Sequence, residues 1–407
     1  MTHGTGPRPL EGYLVLDMGQ VYNGPYCGLL LGFMGARVIK VEPPVGDSIR
    51  LGPTHADDRT SFLRLNANKE SIVLNLKDAK GREILLDLAK KADVLVENFK
   101  PGIMDGLGLS WETLHETNPR LVVGSGSAFG LSGPYRNYPG MDVTVQAMSG
   151  ITSITGHPDG EPVKCGAAVS DFLGGIHLCA GVLAALLQRN ATNEGQLVEA
   201  SMYEASVMTL MTSLGAMLDN GPGVLPERTG NLITNLSYAP YNLYPAKDGH
   251  VTMFCFTERH WELLAEEMGR PELASDARYA TRLERASRMA EVDALVGEWT
   301  SQRTRAELTA QLNESGVPCA PVQTLQEVSE DEHLLERGTE VRVAHPDRGT
   351  VQLTTSPIRM HGSPHRGIDR LAPELGEDTE HVLSELLGMN EEELAVLRGS
   401  GVISPAS

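Results

Sequence analysis

Cysteine is scarce in this chain. Five thiols in 407 residues, Cys27, Cys165, Cys179, Cys255 and Cys319, form an odd, scattered set without a CxxC pair. Such usage argues against a disulfide framework or a zinc site, so no metal is expected, and for reduced thiols in a cytoplasm. No run of about 18 apolar residues is visible, which speaks against a spanning helix and any membrane partner. The opening MTHGTGPRPLEG has no apolar core behind a basic start, so no secretory signal is expected. Positive charge is also short: 34 basic against 53 acidic residues leave a net charge of −19, with a pI near 5.1. That disfavours non-specific binding to nucleic acid or anionic lipid, and any polyanionic small ligand needs a local basic pocket. What is present suits a folded protein: 41% hydrophobic and 21% charged residues, with a mean hydropathy of −0.17. At about 150 residues per domain the length implies two or three domains.

The first two hundred residues alternate between strand and helix. Short apolar, β-branched runs at 13–18, 37–42, 71–76, 94–97, 121–124 and 197–201 are separated by helical stretches that include 25–35, 79–91 and 171–189. This alternation predicts an α/β fold, a Rossmann-like large domain with a parallel sheet between helices. The texture changes near Gly221. A hairpin pattern over 241–256 turns at Lys247-Asp248-Gly249, and helical patterns follow at 258–269, 286–301 and 305–315. We therefore expect a large domain over 1–220, a smaller α+β domain over 225–325, and a C-terminal segment, 326–407, returning to the large domain. That segment reads as strands at 341–343 and 349–355, then acidic helices at 377–387 and 391–397.

Candidate chemistry starts with the first βαβ unit, whose second strand ends in Glu42, an acid in the place that binds a ribose hydroxyl in dinucleotide sites. The intervening turn lacks the close GxGxxG spacing, and Pro25 removes an amide that a pyrophosphate needs, so NAD is not expected. Asp171 precedes a long apolar helix and reads as its N-cap, worth about 1 kcal/mol. The same position makes it a candidate nucleophile toward an activated acyl group, held ionised by free amides and the helix dipole. Gly174 and Gly175 beside it suggest room for a bulky ligand. Lys100, after the fourth strand, faces the ligand crevice of a parallel sheet and is a phosphate candidate, as are Lys40, Lys69 and Arg136. His177 is expected to face the core or a neighbour.

The residues also carry a resemblance. Pro9, Gly12, Asp17, Gly24-Pro25, Gly35-Ala36, Lys40, Glu42-Pro43-Pro44 and Gly46-Asp47 are similar to the N-terminal signature of class III CoA-transferases, the formyl-CoA transferase and carnitine CoA-transferase type. The likeness runs on through Asn68-Lys69, residues 74–77, 96–102, 118–121, 133–135 and 146–150, Asp171, Gly195-Gln196, Tyr244-Pro245 and 316–321, essentially the whole chain. It implies transfer of coenzyme A from an acyl-CoA to a free carboxylic acid, with Asp171 as nucleophile through an aspartyl anhydride and an aspartyl-CoA thioester. It implies CoA contacts at Tyr22, Asn23, Leu74, Asn75, Lys77, Asn98, Phe99, Lys100 and Met141, and an interlocked homodimer. Coenzyme A enters as a substrate, with no metal and no NAD. Arginines that bind CoA phosphates in some relatives fall here on Pro43 and Gly106. The three-glycine run of formyl/oxalate enzymes has no counterpart between Gly221 and Phe256. The same fold serves α-methylacyl-CoA racemases, whose Gly-His-Asp segment reads Gly140-Met141-Asp142 here, and methionine cannot shuttle a proton.

Overall fold

The computed structural model describes residues 6–50, 60–364 and 367–405. The chain forms two compact units. One takes in Met1–Ser149, Cys165–Met208 and Glu332–Ser407, and the other takes in Gly150–Lys164 and Thr209–Asp331. Residues 150–164 and 209–220, placed in the large domain by the sequence pattern, thus belong to the second unit.

The first unit is organised on six parallel strands: β1 (Leu14–Asp17), β2 (Arg37–Glu42), β3 (Lys69–Val73), β4 (Val94–Glu97), β5 (Val122–Ser127) and β6 (Leu197–Ser201). They lie in the order β3-β2-β1-β4-β5-β6, so the winding reverses between β1 and β4. Alternate residues serve opposite faces. Leu14, Leu16, Ile39 and Leu95 join the helix Ala79–Ala89 through Ile84, Leu85 and Leu88. Val15, Val38, Val94 and Val122 join the helices Asn23–Phe33 and Val169–Thr192 through Leu31, Leu178 and Val182. Burial on both sides explains why these strands read as near-continuous apolar runs. A further antiparallel pair, β10 (Glu340–His345) and β11 (Gly349–Thr354), belongs to the same unit.

Val169–Thr192 corrects one expectation. It is long and apolar enough, by length and composition, to cross a membrane. Its apolar character has a local use, because Gly174, Leu178, Val182, Ala185 and Leu186 are buried against the sheet and the first helix.

The third strand starts two residues earlier than its apolar run, at Lys69. Lys69 is fully buried, and its ammonium donates to Asp17 Oδ2 (2.7 Å), the Pro25 carbonyl (2.8 Å) and Asn66 Oδ1 (2.9 Å). Lys40, equally buried, donates to the Gly19 carbonyl (2.8 Å) and Asp47 Oδ2 (2.9 Å). Burial works against the Asp17 charge, but Lys69 and Lys40 outweigh it and hold its carboxyl below the usual range. Asp17 also accepts the Gly19 amide at 2.8 Å. Two lysines and two aspartates thereby clamp the turn between β1 and the first helix.

The second unit is α+β in character. A hairpin of β7 (Tyr241–Ala246) and β8 (Gly249–Phe254), extended by β9 (Cys319–Pro321), packs with helices that include Glu258–Glu267, Met289–Thr300 and Arg305–Ser315. Its core holds Val251, Trp261, Leu264, Val296 and Leu308, and one buried cation, Arg285, which binds the carbonyls of Ala239 and Tyr279.

The lysine clamp yields the first prediction. Lys69→Met leaves Asp17 buried without its partner and should cost about 3–5 kcal/mol of unfolding free energy, read by urea denaturation. Adding Asp17→Asn should recover part of that loss. A single variant as stable as the parent would show that the clamp does not hold the turn.

Candidate active site

The long helix begins at Val169 behind Ala168, which has no side chain to cap it. Asp171 is therefore not the N-cap but the third residue of the helix, in its first turn. The cap comes from elsewhere. Asp142, the first residue of the helix Asp142–Ser149, accepts the Ser170 amide on Oδ1 at 2.9 Å and the Gln146 side-chain amide on Oδ2 at 2.6 Å. Gln146, fully buried, also accepts the Cys165 amide at 2.8 Å and donates to the Ala167 carbonyl at 3.2 Å. The Ser206 hydroxyl donates to Ser170 Oγ at 2.9 Å. The strand of chain entering the helix is thus stitched down before the helix starts.

This leaves Asp171 in an unusual state for a carboxylate. Burial, with the nearby Asp142 charge adding to it, pushes its carboxyl up to about 7. Among the described residues no donor pairs with its side-chain oxygens. The expectation of an ordinary, fully ionised group is therefore corrected: at neutral pH a large fraction is protonated, and the ionised form is poorly solvated. A carboxylate of this kind is matched to reaction at neutral pH. The glycines beside it are not open space. A Cβ on Gly174 would stand 2.2 Å from Asn23 Nδ2, and one on Gly175 would stand 2.7 Å from the Asn23 carbonyl oxygen. These glycines admit the first helix, not a ligand. Phe172 packs edge-on against Tyr26 with ring centroids 4.7 Å apart.

The residues expected to contact CoA fall into several groups. Tyr22 lies half-buried against Phe172 (centroids 6.0 Å apart), and Asn23 is buried beside it. Its Nδ2 donates to the Asp171 carbonyl at 3.3 Å. Met141 is 59% exposed next to Asp142. These three gather around the first turn that bears Asp171. Asn98, at the switch point between β1 and β4, is spent on backbone: it accepts the Gln20 amide at 2.8 Å and donates to the Gln20 carbonyl at 2.9 Å. Phe99 and Lys100 line a cavity of about 140 Å³ with Gly102, Trp111 and Arg136. Leu74 is core, fully buried. Asn75 turns back on the Lys77 amide at 3.2 Å, and Lys77 is exposed.

Two other expectations change, those for the lysines and for His177. Lys40 and Lys69 are consumed in the clamp and cannot bind a phosphate. Glu42 is gripped by Arg50 through two hydrogen bonds of 2.7 Å, with the Ser71 hydroxyl at 2.8 Å, so no ribose can use it. His177 is exposed, with Nδ1 2.8 Å from the Leu173 carbonyl. Gln146, Ser170 and the capping role of Asp142 escaped the sequence reading. The i,i+4 spacing of Asp142 and Gln146 was the one available signal.

Comparison with known proteins identifies the family. Residues 10–379 match the model of CoA-transferase family III. A succinyl-CoA–D-citramalate CoA-transferase of Chloroflexus aurantiacus is 38% identical over 401 residues, covering 98% of each chain. A formyl-CoA:oxalate CoA-transferase of Streptomyces coelicolor is 37% identical over 97% of this chain and 99% of its own. Among solved structures, a CAIB/BAIF family protein from Brucella suis superimposes with a TM-score of 0.81 at 32% identity, over 94% of this chain and 100% of that one. The chain belongs to CoA-transferase family III, enzymes whose substrates are CoA thioesters.

Proposed function

We propose that the chain moves coenzyme A from an acyl-CoA to a free carboxylic acid with Asp171 as the covalent nucleophile. The observation that carries this reading is a partly buried carboxylate on the first turn of a stitched-down helix, raised to about 7 and without a hydrogen-bond donor among the described residues. An Asp171 oxygen bonds to the thioester carbonyl carbon, the C–S bond breaks, and CoA leaves as thiolate from an acyl-aspartyl anhydride. The thiolate attacks the aspartyl carbonyl, releasing the donor acid with one aspartate oxygen and leaving an aspartyl-CoA thioester. The acceptor carboxylate displaces the thiolate to form a second anhydride. The thiolate then attacks the new acyl carbonyl, which restores Asp171 and releases the new acyl-CoA. Each step occurs at an activated carbonyl, and both kinds of intermediate need protection from water.

Phe99, Lys100 and Arg136 around their shared cavity, which Glu97 and Asp105 also line, offer an apolar wall and two cations at the edge of the site for the nucleotide end of CoA, in place of the arginines replaced by Pro43 and Gly106. An isomerase reading finds less support, because Met141 stands where a proton-shuttling histidine is needed. A second copy of the chain is part of this proposal. Leu187 on the long helix of the first unit is 72% exposed, with Ile176 on the same helix and Met208 also uncovered. Apolar surface of this kind marks a binding face.

Two outcomes follow. With an acyl-CoA supplied alone, no transfer should occur, and a 2-methylacyl-CoA in deuterated water should gain no α-deuterium. With a second carboxylic acid present, CoA should move, and kcat/KM should rise with pH through about 7 as Asp171 ionises. Deuterium exchange at catalytic rates without an acid, or full activity in Asp171→Ala, would sink the assignment. Sedimentation at nanomolar concentration should show a species of twice the 43.9 kDa chain mass. Mostly single chains there would contradict an obligate interface, which typically buries on the order of 2,000 Å² or more.

A further inference from the structure

We propose that Asn23 is a positioning residue for the nucleophile, holding the first turn of the long helix, and thereby the Asp171 carboxylate, without touching substrate. The inference rests on the reading of Asp171 as nucleophile. Asn23 opens the helix Asn23–Phe33, yet it is only 1% exposed. Its Nδ2 donates to the main-chain carbonyl of Asp171 itself, while its buried Oδ1 has no partner among the described residues. An unmatched buried acceptor carries an uncompensated desolvation penalty. Packing alone would favour an apolar side chain here, so the amide has to be retained for its bond.

The slot around that amide is built from absences. Gly126 on β5 and Gly174 and Gly175 on the long helix face Asn23 from two elements. A Cβ on Gly126 would lie 2.1 Å from Oδ1, one on Gly174 would lie 2.2 Å from Nδ2, and one on Gly175 would lie 2.7 Å from the Asn23 carbonyl oxygen. None of the three positions accepts a side chain while Asn23 keeps its place. The main chain of β5 and the main chain of the catalytic turn therefore both close on one carboxamide. A shift of the turn carries the carboxylate with it, and a misplacement of about 1 Å in an attacking group can cost about 100-fold in rate.

A direct CoA contact by Asn23 makes the opposite kinetic prediction, which allows a clean test. Wild-type protein and Asn23→Ala are mixed with an acyl-CoA without acceptor acid. The acyl-enzyme is quenched over time and mapped by peptide mass, and acyl-CoA affinity is measured by calorimetry on Asp171→Asn with and without Asn23→Ala. The positioning role predicts acylation of Asp171 slowed by about tenfold or more, with affinity unchanged within about twofold. Acylation at the wild-type rate overturns the inference. So does an affinity loss of about tenfold with an unchanged saturating rate, which would make Asn23 a ligand contact. Wild-type protein that labels elsewhere than Asp171 removes the reading beneath it, a distinguishable failure. Should Asn23→Ala not fold, Asn23→Ala combined with Gly174→Ala, in which a methyl refills part of the slot, carries the same measurement. It should fold and still acylate slowly, and wild-type acylation by it overturns the inference.

Discussion

The hydrogen bond from the Ser170 amide to Asp142 is the interaction on which the site depends. A helix that starts behind alanine has exposed amides and a frayed first turn unless a side chain arrives from elsewhere. Asp142 supplies that side chain from another helix, and Gln146 holds it in place with its second oxygen occupied. The capping charge is then brought close to Asp171, whose own charge becomes harder to support. One contact thus orders the turn and tunes the carboxylate it carries. Removing the cap would relax both at once.

The rest of the first unit supplies rigidity behind that turn. The ion clamp of Asp17, Lys40, Asp47 and Lys69 fixes the segment leading into the first helix, and Asn98 pins the same segment at Gln20. A protein with a net charge of −19 spends two of its scarce lysines where no ligand can reach them. Buried pairs of this sort add little net stability over an apolar core, but they tolerate no vacancy. The clamp accordingly acts as a specification of geometry, locating the entry to the helix that abuts Gly174 and Gly175.

Much of the fold was legible because both-face burial writes itself into the sequence. The runs of β2 and β4 gave their bounds directly, as did that of the half-exposed β6, and the hairpin of β7 and β8 turned where Lys247-Asp248-Gly249 said it should. The third strand was displaced because Lys69 and Glu70 read as polar surface, whereas a distant aspartate makes Lys69 core. The same reason hid the site's detail. Asp171 resembled a cap because the true cap lies 29 positions upstream, beyond any local pattern. Gly174 and Gly175 read as space for a ligand because nothing near them in sequence announces Asn23. Local propensity identifies elements, and partners remote in sequence decide what each polar residue is for.

The central claim is that an oxygen of Asp171 enters the reaction covalently. Its most direct test is turnover with an acceptor acid labelled with ¹⁸O in its carboxylate, followed by mass analysis of the peptide containing residue 171. The sequence of anhydride, thioester and second anhydride predicts that acceptor oxygen accumulates in the Asp171 carboxylate, while unlabelled aspartate oxygen leaves in the first donor acid released. CoA transfer with no ¹⁸O in that peptide after many turnovers would contradict the account.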